Sequence, residues 1–136
     1  MDKFKLSIKS LENQWADLTI TVDGQEKVFC FERVPNDPLY DILESAIRIT
    51  GKIDSTIIFH NCSQREYLSV KSVGNNSCCV EAESVRLTLP VKQFVRASLQ
   101  MFDSYIFTFS RDEYCNHWSA FPSEDLERLR SLYRSL

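Results

Sequence analysis

The chain has 136 residues, 43% of them hydrophobic and 26% charged, with a net charge of −3 and an isoelectric point near 5.4. That length suits a single domain, 1–136, large enough to bury roughly two thirds of the surface its unfolded chain exposes. The mildly acidic balance lacks the basic stripe of a nucleic-acid binder, and no apolar run reaches the length of a membrane span, so neither nucleic acid nor membrane is expected as a partner.

The opening residues, MDKFKLSIKS, contain no apolar segment long enough for a secretory signal, which makes a cytoplasmic location the expectation. The five cysteines, Cys30, Cys62, Cys78, Cys79 and Cys115, are odd in number and irregularly spaced. In a reducing compartment they read as free thiols, mostly buried, rather than as a disulfide framework. Cys78 and Cys79 are adjacent, so on a strand they point to opposite faces and at least one is expected to be accessible.

In chain order, Phe4, Leu6 and Ile8 alternate with polar residues, and Leu18, Ile20 and Val22 do the same. Both are the period-two pattern of half-buried strands. Asp23-Gly24-Gln25 supplies a hairpin turn, and a return strand covers about Lys27 to Arg33. Asp37 then caps a helix whose first position suits Pro38, with Leu39, Ile42, Leu43, Ala46 and Ile47 on one face and Gly51 at its end. Ser55–His60, Glu66–Val73, Ser77–Ala82 and Ser84–Leu89 read as four more strands, with Gly74-Asn75-Asn76 as a turn between the second and third of them.

Pro90 to Asp112 is the longest helical pattern. Val91, Phe94, Val95, Ser98, Phe102, Tyr105, Ile106 and Phe109 recur at helical spacing, and Pro90 suits the first position. Leu99, Met101 and Phe107 fall off this stripe, so the helix needs a second cover besides the sheet. Arg111 to His117 reads as irregular, Trp118 and Phe121 as packing inward, and Ser123 onward as a last amphipathic helix. The expected fold is α+β: a single antiparallel sheet of six or seven strands, with helices over about 38–50, 90–110 and 123–135 packed on one face.

No catalytic signature names a reaction. Only Gly24, Gly51 and Gly74 are present, each accounted for by a turn or a cap, so no glycine-rich loop cradles a phosphate and no cofactor is expected. The sharpest local pattern is the mirrored pair His60-Asn61-Cys62 and Cys115-Asn116-His117. On extended segments, residues two apart share a face, so the four side chains would supply the two-Cys, two-His set that tetrahedral zinc favours. A thiol beside an imidazole also suits nucleophilic catalysis. A small hydrolytic or zinc-dependent enzyme is therefore the second functional reading, although buried thiols and hydrogen-bonded imidazoles account for the same residues.

The acidic residues Asp37, Asp41, Glu44, Glu81, Glu83, Glu124, Asp125 and Glu127 sit near helix starts or strand ends. They serve helix dipoles and solubility, or form an acidic face that steers onto a cationic protein. Trp15, Tyr40, Tyr67, Tyr114 and Trp118 lie in or beside loops and are natural interface anchors. The candidate partner-binding set is Asp37, Tyr40, Asp41, Glu44, Tyr67, Glu81, Glu83 and Tyr114. A homodimer through the second apolar face of the long helix is a third reading.

The stretch from Asn36 to Ala46 (NDPLYDILESA) resembles the helix start of a family of small bacterial α+β proteins. Tyr114, Trp118, Phe121-Pro122 and Leu126/Leu129 resemble that family's closing aromatic segment. In size, charge and style the chain is similar to the immunity proteins of contact-dependent growth inhibition systems. That resemblance implies a cytoplasmic, stoichiometric inhibitor with no turnover, which neutralises a cognate toxin domain, a nuclease foremost, by occluding it.

Overall fold

Alternation in the first third of the chain produces three strands, β1 (Phe4–Glu12), β2 (Trp15–Val22) and β3 (Gln25–Glu32). Helix α1 (Pro38–Thr50) follows, then β4 (Ser55–Asn61), β5 (Gln64–Gly74), β6 (Ser77–Ala82) and β7 (Val85–Pro90). The chain ends with α2 (Val91–Thr108), α3 (Arg111–His117) and α4 (Ser123–Arg134). The computed structural model describes residues 3–62, 64–83 and 85–136. Met1 and Asp2 of the opening segment, and Ser84, where the alternation starts the last strand, lie outside the described residues.

The α+β class holds, but the expected single sheet does not. The strands form two antiparallel sheets, β1-β2-β3 and β4-β5-β6-β7. The reason lies in the connections. Asn13-Gln14, Asp23-Gly24 and Asn75-Asn76 all take the left-handed conformation that tight two-residue hairpins require, and each such turn forces its flanking strands into register. Between β3 and β4 the chain instead passes through α1, and nothing local compels those strands to pair. They meet through side chains: Phe59 stacks on Phe29 with ring centroids 4.6 Å apart and sits 4.9 Å from Phe31.

One continuous core draws on both sheets and all the longer helices. β1 contributes Phe4, Leu6, Ile8 and Leu11, the last kept inward by a register shift between Ile8 and Ser10. α2 is covered twice, as its sequence demands. Val91, Phe94, Val95, Ala97, Leu99, Met101, Phe102 and Tyr105 are all buried, and the second cover is α4, which lays Tyr133 beneath the Lys92 ammonium and pairs Arg130 with Asp103. Phe107, expected to share that cover, is instead 92% exposed. Pro90 pairs with Ser77 as the last residue of β7, one position ahead of the helix start assigned to it. No helix of the described residues is long and apolar enough to cross a membrane.

Arg111–His117, expected to be irregular, is helical. Ser110 caps it by accepting from the Glu113 N–H at 3.0 Å. The helix turns Tyr114 fully inward, against Phe102, Tyr105 and Phe121. Trp118 follows it inward and meets Phe31 edge-on at 5.8 Å.

The Tyr114 hydroxyl is buried and, among the described residues, has no hydrogen-bond partner. Tyr114→Phe keeps the ring and removes an oxygen that has lost its water. We expect the variant to be neutral or more stable by up to about 2 kcal/mol in urea unfolding; a clear loss of stability would show that the hydroxyl has a partner.

Candidate partner-binding surface

The site is built on the first two turns of α1. Leu39, Ile42, Leu43 and Ala46 are completely buried, so the intervening Tyr40, Asp41 and Glu44 are displaced toward solvent. Asp37 fixes where those turns point. Its carboxylate accepts from the Tyr40 N–H at 3.1 Å and from Trp118 Nε1 at 2.9 Å, and it lies 3.6 Å from Arg33 Nε. Asp37 is therefore an anchor for the surface rather than a free contact on it.

Tyr40 is 36% exposed, and its hydroxyl donates to Asp125 Oδ2 on α4 at 2.9 Å. That hydrogen bond, with some burial, raises the phenol above its ordinary range. Asp41 accepts from Asn36 Nδ2 at 3.0 Å, and the same amide reaches the Ile58 carbonyl at 2.9 Å. Burial raises the Asp41 carboxyl, and the Asn36 hydrogen bond opposes this only in part. Glu44 is held by Arg48 at 3.0 Å one turn later. Between α1 and β4 lies an open cleft of about 310 Å³, lined by Asp41, Glu44, Ser45, Arg48, Asp54, Ser55 and Thr56. The Ser45 and Ser55 hydroxyls touch across its floor, and Asp54 accepts from the Ser72 N–H at 2.8 Å.

The sheet carries this surface further. Thr56 at the cleft faces Ser69, Ser69 faces Glu81, and Glu81 faces Arg86. These four form a row across β4 to β7 on the side away from the core. Tyr67, 46% exposed, stands beside Ile58 on the same side. Glu81 lies 3.9 Å from Arg86 Nε, a loose exposed pair. The structure thus joins Tyr40, Asp41, Glu44, Tyr67 and Glu81 to one another, and adds Asp54 and Asp125.

Two candidates fall away. Tyr114 has no exposed surface, because the helix that carries it turns it toward the core. Glu83 is bonded at 2.8 Å to Lys27 of the other sheet, away from the row. Asp54 gives no local signal, since a lone aspartate before a strand looks like any turn residue. Asp125 reads as a helix-start acid, and its partner Tyr40 is 85 positions away.

The mirrored Cys/His pattern does not assemble as the extended reading required. Cys115 and His117 lie on helix α3, where residues two apart point about 200° from each other. His117 Nε2 instead sits 3.1 Å from Glu113 Oε2 one turn earlier. Among the described residues, no group of three or more His, Cys, Asp or Glu side chains is placed to hold a metal ion. The thiols also differ from expectation: Cys30, Cys62 and Cys115 are exposed, and adjacent Cys78 and Cys79 are both buried. Burial pushes the Cys78 thiol up to about 12, and Cys79 Sγ accepts from Arg86 Nε at 3.3 Å.

No protein-family model matches the chain, and no curated protein or solved structure matches it either.

Two outcomes follow from this geometry. Asp37→Ala strips a helix cap and the acceptor of a buried indole, and should cost about 2–4 kcal/mol in urea unfolding. Asp37→Asn keeps an acceptor oxygen in place and should recover most of that loss. The second concerns pH. A carboxyl raised in the folded state binds its proton more tightly there than in the unfolded chain. The Asp41 contribution therefore declines as pH rises from its ordinary value of 3.8 through the raised one, and is constant above it. Asp41→Asn should remove that decline from the stability–pH profile measured by thermal unfolding.

Proposed function

We propose that this chain is an immunity-type binding protein, acting in the cytoplasm, that neutralises a cognate toxin domain, a nuclease, by protein–protein occlusion and without turnover. One observation carries the reading. Tyr40, a partly exposed aromatic, stands among Asp41, Glu44 and Asp125, and the cleft beside Asp41 and Glu44 adds Asp54, with Arg48 its only lining cation among the described residues. A tyrosine whose hydroxyl is already held loses little rotational freedom on binding, as an anchor residue should. The surrounding carboxylates suit a cationic surface, such as the groove with which a nuclease holds its phosphate backbone. Asp37 keeps the helix start rigid through its contacts with Arg33, Tyr40 and Trp118, so the face is formed before the partner arrives.

The test is titration calorimetry with the toxin domain encoded beside this chain's gene. A one-to-one complex is expected. Tyr40→Ala should weaken it on the order of thirtyfold or more, as hot-spot truncations do. Glu44→Lys should slow association and flatten its dependence on salt. Absence of a complex, or equal affinity in all three proteins, would overturn the assignment.

A further inference from the structure

The two sheets share no strand, so side chains alone close the seam between them. At one end that closure is aromatic and rigid, with Phe59 packed on Phe29 and Phe31. The other end is closed by a lysine. Lys27 lies on the inward side of β3, two residues before Phe29, and its side chain is only 23% exposed. With Ile20, Val22, Leu68, Val80, Ala82 and Val85 it surrounds a void of about 10 Å³, at the lower limit of what holds a single water. Its ammonium lies 2.8 Å from Glu83 Oε2, 4.0 Å from Glu66 Oε2 and 5.2 Å from the centre of the Phe29 ring.

This closed arrangement has a cost. Among the described residues Glu66 Oε2 has no hydrogen-bond partner and is buried, which carries a desolvation penalty. Water admitted at this end would satisfy that oxygen, whereas nothing at the aromatic end gains from separation.

We infer that Lys27 is a latch, and that the seam opens locally at its end, exposing the apolar walls formed by Ile20, Val22, Leu68, Val80 and Ala82 while the Phe29–Phe59 end stays shut. The inference is independent of the partner-binding surface, which lies on α1 and the outer side of the second sheet.

Thiol labelling of the full chain tests it. Ala82→Cys places a reporter on the wall of the void, and buried Cys78, four residues earlier on the same side of β6, reports global unfolding in the same molecule. Peptide mass spectrometry separates both from the exposed cysteines. Adding Lys27→Met should speed labelling at position 82 on the order of tenfold, the loss of one charged hydrogen bond, and leave Cys78 unchanged. Lys27→Arg should restore the slow rate. Equal rates at position 82 with and without Lys27→Met would overturn the latch, as would acceleration of Cys78 in step with it. If Ala82→Cys does not fold, Val85→Cys takes its place under the same criteria.

Discussion

A single carboxylate sets the geometry on which the proposed binding face depends. Asp37 gathers Arg33 from the end of β3, the Tyr40 N–H from the start of α1 and the Trp118 indole from the end of α3. Each donor belongs to a different part of the chain, and Trp118 lies 81 residues away. A cap alone would fix only where the helix begins. The indole also fixes how that beginning is oriented against the aromatic cluster, because Trp118 is itself wedged against Phe31. An acceptor shared by a buried indole cannot move without leaving that donor unsatisfied. The helix start is therefore as rigid as the core it is tied to, although its outer residues face water.

The same aromatic cluster holds the two sheets together. Hairpin ladders are local devices, specified by turn residues a few positions apart. Joining one three-stranded ladder to a four-stranded one needs long-range contacts, which here come from Phe29, Phe31 and Phe59 at the seam and from α1 and α2 packing across the common core. Offset aromatic pairs add about 0.5–1.5 kcal/mol each beyond the area they bury. That suffices to define one mutual arrangement of the sheets without a shared hydrogen-bond ladder. It also explains why the seam is well packed where the aromatics lie and depends on a charged side chain where they end.

What could be read from the residues follows this division between local and long-range. Periodicity and turn chemistry locate six of the strands and the helices at 38–50 and 123–135 to within a residue or two, because each is specified by its own neighbours, whereas β1 runs on to Glu12, past the alternation of Phe4, Leu6 and Ile8. The single sheet expected from the residues is instead two, because no turn encodes how the hairpin sets on either side of α1 meet. Arg111–His117 reads as irregular because a seven-residue helix with one buried side chain has almost no stripe, and its Ser110 cap is its main local signal. The helix takes Tyr114 off the surface and separates Cys115 from His117. On α1 the reading of Tyr40, Asp41 and Glu44 as outward was sound, since a clean apolar face determines its complement. Asp54 and Asp125 joined them only through tertiary contacts.

The acidic residues show why composition alone describes this surface poorly. Most of the carboxylates first grouped as a face already have partners within the chain: Glu83 on Lys27, Glu81 beside Arg86, Glu127 on Arg130, Asp37 on three donors. Pairs of this kind neutralise the field a partner would feel, and exposed ones contribute little to stability. What distinguishes the α1 cleft is that its carboxylates are held mainly by neutral donors. Asn36 holds Asp41, the Ser72 amide holds Asp54 and the Tyr40 hydroxyl holds Asp125. A neutral donor orients a carboxylate and leaves its charge in place; among the described residues Glu44 is the one acid there paired with a cation, Arg48. Asp41 and Asp125 thereby keep their charge beside exposed Tyr40, at a helix start that Asp37 ties to the core. Orientation without neutralisation is the arrangement a preformed binding face for a cationic partner requires.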